Sequence, residues 1–305
     1  MDGLLVIDKP AGITSHDVVN RVRRVLGIKR VGHTGTLDPF ATGVMVVIVG
    51  RATRLAQFLD KDQKEYTATV RFGFETDTGD ATGTRKSDTG VPNKDAATRL
   101  ASVDWDELLS SFRGEIDQLP PMYSAKKIGG KKLYESARKG IDVERKPQHV
   151  TIYELRANTG TLHHNLQLGT SDLELIVTCS AGTYVRVLAE DIGRAMGVGA
   201  HLAELRRTRS GRFDLSQTVT LDQLAQLDHA SKALLPMEKA VDHLPEFVLH
   251  PDRVEKTRNG MSTRLADTPF ADAELVRMTS PGGELIAIGT YSADDGSVRP
   301  KVVLV

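Results

Sequence analysis

The segment Gly32–Gly43, GHTGTLDPFATG, runs directly into VMVVIV, Val44–Val49. Six consecutive apolar residues, five of them β-branched, make a buried strand. The twelve residues before them are mostly small and include one histidine, one aspartate and one proline. The chain therefore places a small-residue loop with a lone carboxylate, Asp38, at the mouth of a buried strand. With 40% apolar residues in a chain of 305, there is material for one large domain, or a large one plus a small one. The Val44–Val49 run is far too short to span a bilayer.

The rest of the chain reads as strands and helices in irregular alternation. LLVI (Leu4–Ile7) is a short strand closed by the turn DKPAG. Ser15 is expected to cap a helix whose apolar stripe is Val18, Val22, Val25 and Leu26, with Gly27 ending it. RATRLAQFL follows the buried strand as a short helix. EYTATVRFGF alternates, putting Tyr66, Ala68, Val70 and Phe72 on one face. Thr76–Asp95 is a polar, glycine-rich loop, and WDELLSSFRG an amphipathic helix. VTIYELRA is a strand, and LQLGTSDLELIVTC is expected to hold two more. GTYVRVLAEDIGRAMG is a helix with Val185, Leu188, Ile192 and Met196 inward. HLAELRRTRSGRFDL returns to strand, and TLDQLAQL is a short helix. From about Leu244 short strands and turns dominate, with few helical signals and a linker near Asp242–Pro251. The expectation is an α+β chain, not a doubly wound sheet.

Several chemistries are excluded or unsupported. Asp-Thr-Gly occurs twice, at Asp77–Gly79 and Asp88–Gly90. No apolar strand leads into either copy, and both lie in one charged loop, so they are turn residues and not a protease dyad. His163 and His164 lack a carboxylate at metal spacing. Neither a phosphate-binding P-loop nor a dinucleotide glycine pattern is present, so no cofactor and no metal are expected. Cys179 is the single cysteine, so no disulfide framework can form, and a reducing compartment is expected. MDGLLVIDKP does not read as a signal peptide. A soluble, cytoplasmic protein is the expectation.

Charge is neutral overall, 40 basic against 40 acidic residues, but unevenly spread. Residues 1–60 hold 8 Lys/Arg against 5 Asp/Glu, and 113–150 hold 9 against 5. RRTRSGR, Arg206–Arg212, holds 4 basic residues and no acid. These are either solvated faces or a local cationic surface on a neutral protein.

A loop carboxylate such as Asp38 can be a nucleophile, a general base or a cap, and Asp-Pro is also an ordinary turn start. Tyr184 and Arg186 open the helix in CSAGTYVR. An arginine facing Asp38 would keep it ionised and aimed. A tyrosine, there or at Tyr66, would offer a stacking face to a base. Each of these residues alone also reads as a surface ion pair or a core aromatic.

Six blocks decide between these readings. LLVIDKPAGITSHDVV, GHTGTLDPFATGVMVV, YTATVRFGFETDTGDATG, PPMYSAKKIGGKKLYESARKG, CSAGTYVRVLAEDIG and GAHLAELRRTRSGRF occur in order from Leu4 to about Phe213, some two-thirds of the chain. Together they resemble the bacterial TruB family, the tRNA pseudouridine synthases that act on the T-loop uridine, position 55.

The resemblance implies a pseudouridine-synthase fold over residues 1–244, a mixed, mainly antiparallel sheet with helices on its faces and an RNA-gripping insertion at about 120–146. A small β-rich, PUA-like domain follows at 245–305, on size and texture alone. It implies that Asp38 breaks and remakes the glycosidic bond, that Arg186 pairs with it, and that Tyr66 stacks on the target base and takes part in proton transfer. His33 helps hold the opened T-loop, Tyr184 and Leu205 line the pocket, and Lys9-Pro10 forms a turn bracing or touching the site. Lys126, Lys131 and Lys132 would grip phosphates, and Arg206 and Arg207 would line an RNA groove. The T-arm of tRNA is the implied partner, with no membrane and no protein partner, and the chain is expected to act as a monomer. Extruding the uridine costs a few kcal/mol, and stacking on Tyr66 at roughly 1–3 kcal/mol would offset much of it. Three features depart from the family pattern: Lys126 stands where leucine is common, Asp294-Asp295 adds acid to the tail, and the tail itself has no motif. Alternatives are a non-catalytic tRNA-folding chaperone, or a related synthase acting in a guide-RNA complex.

Overall fold

The computed structural model describes all residues except 87–92, 125–126, 129–130, 134–142, 166, 266–268 and 305. Among the described residues a central sheet is built from β1 (Gly3–Lys9), β2 (Val31–Thr34), β3 (Thr42–Val49), β4 (Lys64–Phe72), β5 (Gly114–Gln118), β8 (Gln148–Asn165), β9 (Thr170–Cys179), β10 (Ala200–Ser210) and β11 (Phe213–Asp214). β6 (Lys127–Ile128) and β7 (Lys131–Lys132) make a separate two-stranded pair. The spatial order is β1-β3-β10-β4-β9-β8-β5, with β2 added to β3 and β11 to β10.

All pairs in this sheet are antiparallel except β3–β10, where Arg206 and Arg207 lie opposite Thr42 and Gly43. That junction brings the end of the Gly32–Gly43 segment against the basic run. It is very close. Gly43 has φ +99°, and a Cβ there would stand 2.2 Å from the Arg207 carbonyl oxygen, so only glycine fits.

β3 is apolar from Val44 to Val49 because both of its faces are covered. Met45, Val47 and Val49 join one core with Leu5, Ile7, Val18 and Val22, whereas Val44, Val46 and Ile48 join another with Leu4, Val6 and Phe213. The first core lies under α1 (Ser15–Leu26) and α5 (Val185–Ala195). β4 alternates as expected, with Tyr66, Ala68, Val70 and Phe72 on the buried face. The remaining α-helices among the described residues are α2 (Ala56–Leu59), α3 (Asn93–Ser102), α4 (Trp105–Ser110), α6 (Leu221–Gln226) and α7 (Pro251–Arg258).

A second sheet, ordered β12-β14-β15-β16-β13, comprises β12 (Glu246–Val248), β13 (Thr263–Arg264), β14 (Leu275–Thr279), β15 (Leu285–Ser292) and β16 (Ser297–Val303). It has its own small core of Val276, Met278, Ile286 and Val298. Leu285, Ile288 and Leu304 pack into the second core of the central sheet, so the two sheets share buried surface.

Several local readings differ from the sequence expectation, and Gly32–Thr34 of the expected loop pairs with β3 as part of strand β2. Thr14, not Ser15, caps α1 through a reciprocal box with Asp17, while Ser15 is buried and turned toward the Gly32–Gly43 loop. Val19 replaces Val25 in the buried stripe, with Val25 36% exposed. Gln167–Asp172 adds no separate strand; one strand, β9, follows the turn. α7 was not signalled by apolar periodicity, because it is polar nearly all round and begins with Pro251 in its first turn.

Candidate active site

Residues 35–41 form the link between β2 and β3, and buried side chains clamp it from three sides. Lys9, fully buried, donates Nζ–H bonds to the carbonyls of Pro10 (2.9 Å), Pro39 (3.2 Å) and Ala41 (2.7 Å). Ser15 Oγ donates to Leu37 O at 3.0 Å and accepts from Leu37 N at 2.9 Å. Arg207 donates to Gly35 O at 3.0 Å and to Val44 O at 2.6 Å, while the Gly35 N–H donates to Asp60. A loop of small residues is thereby made rigid.

Asp38 is aimed by this loop at the start of α5. Arg186, 4% exposed, grips it with two bonds, Nε to Oδ2 at 2.9 Å and Nη2 to Oδ1 at 3.2 Å. The guanidinium is itself fixed by the carbonyls of Thr78 and Tyr123, both at 2.7 Å, and stands 3.6 Å from Asp80. Burial raises the Asp38 pKa above the ordinary carboxylate value. Arg186 and Lys9 oppose that rise, and Asp80 adds to it. A third of the Asp38 side chain still faces solvent.

Two cavities meet at this carboxylate. One, of about 440 Å³, is lined by Asp38, Tyr66, Tyr184, Leu205, Arg207 and Lys64. The other, of about 700 Å³, is lined by Asp38, His33, Phe40, Thr82, Tyr123 and Thr14. Both lie in the size range of small-molecule sites. Tyr66, 8% exposed, receives a hydrogen bond from Arg207, and burial pushes its phenol above the usual value. Tyr184 caps α5 with its backbone fixed by Gln118, at 2.8 Å and 3.2 Å. His33 is held neutral by burial, which lowers its pKa, and its Nδ1 is buried without a partner.

The structure thus brings Asp38, Arg186, Tyr66, Tyr184 and Leu205 together, with His33 in the adjoining cavity. It places Arg206 and Arg207 differently from the sequence expectation, and of the two roles open to Lys9 it fits the brace. Lys9 is 0% exposed and spends its donors on the loop, so it braces the site and does not reach RNA. Arg207, 1% exposed, is a floor of the cavity and not a phosphate contact. Arg206 points to the other face of β10 and pairs bidentately with Asp8 at 3.0 Å and 2.7 Å, beside a separate cleft of about 290 Å³. Farther along the run, Arg209 pairs with Glu65 at 2.8 Å and Arg212 with Asp242. Lys126 lies outside the described residues; Lys131 and Lys132 form β7, and their side chains lie outside them too. Asp80 and Lys64 were missed. Asp80 sits in DTGDATG, read as turns, and its side chain does cap that turn, accepting from Thr78 Oγ1 and Thr82 N, both at 2.9 Å.

Comparison with known proteins decides what this arrangement belongs to. Residues 23–185 match the model of the TruB family pseudouridylate synthase N-terminal domain, and 186–242 match the tRNA pseudouridylate synthase B C-terminal domain. The chain belongs to the TruB family. The tRNA pseudouridine synthase B of Bacillus subtilis (strain 168) is 41% identical, with 100% of this chain and 98% of that protein aligned. That of Geobacillus thermodenitrificans (strain NG80-2) is 46% identical over 99% of both. Among solved structures, an H/ACA RNP bound to a substrate RNA containing 2′-deoxyuridine matches with TM-score 0.70 at 27% identity, covering 99% of this chain and 85% of that one. A Cbf5-Nop10-Gar1 complex matches at 0.69 and 29%, with the same coverage. This TruB-family chain is therefore a pseudouridine synthase, an isomerase, with the family's α+β fold. The second family match ends at residue 242, before β12 begins at Glu246.

Proposed function

We propose that this chain converts the T-loop uridine of tRNA, position 55, to pseudouridine, with Asp38 as the group that acts on the glycosidic bond. The observation that carries the assignment is the bidentate Asp38–Arg186 pair at the junction of two cavities. A carboxylate held open on one side and fixed on the other can approach the sugar while the base lies in the smaller cavity. Uracil stacks on Tyr66 there, with Leu205 and Tyr184 as walls. The larger cavity accepts the neighbouring nucleotides of the opened loop beside neutral His33, which offers a stacking face without a charge.

Arg186 opposes the rise that burial imposes on the Asp38 carboxyl and fixes its rotamer. Lys9 keeps the loop in place from beneath. Residues 1–244 act as the catalytic unit, with the insertion at about 120–146 and its Lys126, Lys131 and Lys132 gripping phosphates, and 245–305 act as a PUA-like RNA-contacting unit. The chain works as a stand-alone monomer in the cytoplasm, a setting that suits its one buried free thiol.

The test is tritium release from a T-arm stem-loop carrying [5-³H]uridine at the target. The wild-type chain releases tritium, and Asp38→Asn binds the RNA but releases none. A fully active Asp38→Asn chain would remove the assignment, and an inactive wild type would remove the substrate.

A further inference from the structure

Among the described residues, Lys64 is the one cation of the smaller cavity whose donors are not spent. It lies two residues before Tyr66 on β4, on the same buried face, and is 4% exposed. Its Nζ makes one long contact, 3.5 Å to Leu59 O, and among the described residues it has no ion pair. Lys9, equally buried, uses three carbonyls, and Arg207 is engaged by Val44, Gly35 and Tyr66. Burying an ammonium with donors left over is costly unless something else fills the site. Burial and Arg207 lower the Lys64 pKa to about 8, and Asp60 and Asp62 oppose this, so it remains largely charged at neutral pH.

We propose that Lys64 is a catalytic residue that holds the detached base, its ammonium donating to a carbonyl oxygen of the uracil. This rests on the reading of Asp38 above. When the C1′–N1 bond breaks, its electron pair stays on N1 and the base becomes a uracil monoanion with charge spread onto O2 and O4. The sugar's electron deficiency is met on the Asp38 side. The base turns, C5 gives an electron pair to C1′, the C5 proton leaves to solvent and N1 takes one up, so the sum is an isomerisation with no co-reactant. A fixed cation at the base end stabilises the charge that develops only in this step.

A rival role for Lys64 is support of the loop, since its Cε lies 3.4 Å from where a Gly35 Cβ would be. The two roles respond differently to the leaving group. With a T-arm stem-loop carrying uridine, K64M is expected to lower the single-turnover rate about 100-fold, with the RNA dissociation constant within about threefold of wild type. With 5-fluorouridine at the same position, whose detached base is a more stable anion, the same variant is expected to lose less than about tenfold in N-glycosidic bond cleavage. K64R, which keeps the charge, is expected to recover at least about tenfold of the loss on uridine. Equal losses on the two substrates, or a folded K64M at wild-type rate, would overturn the proposal. If K64M does not fold, a crystal structure of the wild-type chain with the 5-fluorouridine stem-loop decides. Lys64 Nζ within about 3.5 Å of a uracil carbonyl oxygen sustains the proposal, and a longer distance overturns it. Failure of the underlying functional reading looks different, because the wild type then leaves both substrates unchanged.

Discussion

Arg186 holds both carboxylate oxygens of Asp38 across 148 residues of sequence, with Nε to Oδ2 at 2.9 Å and Nη2 to Oδ1 at 3.2 Å. Two more guanidinium N–H groups go to the carbonyls of Thr78 and Tyr123, and Nη1 stands 3.6 Å from Asp80, so the fork is fixed before any substrate arrives. A lysine offers one point charge and cannot reproduce this. Arg186→Lys is expected to reduce the single-turnover rate by about 10²–10³ with little change in RNA affinity. A normal rate would take the pair out of the mechanism.

The same pair predicts an acid limb. In the proposed mechanism Asp38 acts as a carboxylate, and burial raises its pKa in the fold. Activity is therefore lost as pH falls through that raised value, earlier than an exposed aspartate would dictate. Arg186 is the strongest influence pulling the value down, so weakening it must move the limb to higher pH. The rate–pH profile of Arg186→Gln, measured on residual activity, checks the direction. A limb that stays put or moves to lower pH contradicts the assignment.

Removing Lys9 tests how far the loop depends on its brace. Lys9→Met leaves the carbonyls of Pro39 and Ala41 in a buried place without their donor. The expected cost is about 2–4 kcal/mol of folding stability, read by denaturant unfolding. The rate should fall while the RNA dissociation constant holds, since Lys9 does not face the RNA. A large loss of affinity would restore it as a substrate contact.

How legible was this site? The loop, the buried strand after it and the Tyr66 face of β4 follow from spacing and side-chain size, which are local properties. The family blocks added Arg186, whose partner is too distant in sequence for any local pattern. The cations were misread because charge alone cannot separate an exposed side chain from one buried against carbonyls. One clue was available: Arg206 and Arg207 are neighbours on a strand, so their side chains had to point to opposite faces. Only one could line a given cavity, and it is Arg207. Asp80 was hidden by being a true turn residue that also serves Arg186. α7 was hidden by lacking an apolar stripe.

Gly43 carries a purely geometric prediction. It has φ +99°, and a Cβ would meet three backbone atoms of Arg207 between 2.2 and 2.9 Å. None of these can swing aside as a side-chain end would, because β3 and β10 are paired at this point. Gly43→Ala is expected to cost about 3 kcal/mol or more, and to displace the catalytic loop that Arg207 holds. Thermal unfolding reads the first effect. A variant melting within a degree of wild type would mean that the strands part more easily than their register suggests.

Tyr66 separates stacking from hydroxyl chemistry. Tyr66→Phe keeps the ring and removes the acceptor of the Arg207 hydrogen bond. Tyr66→Leu removes the ring as well. If the everted uracil lies on this ring, Leu loses stacking worth roughly 1–3 kcal/mol, about 5- to 150-fold in the affinity of a stem-loop whose target base must be everted, while Phe stays within about threefold. Any drop in single-turnover rate that Phe shares with Leu then belongs to the hydroxyl and its bond to Arg207, whose guanidinium keeps the carbonyls of Val44 and Gly35. Equal affinity in all three chains would mean that the base stacks elsewhere, and the second cavity, beside His33, becomes its place.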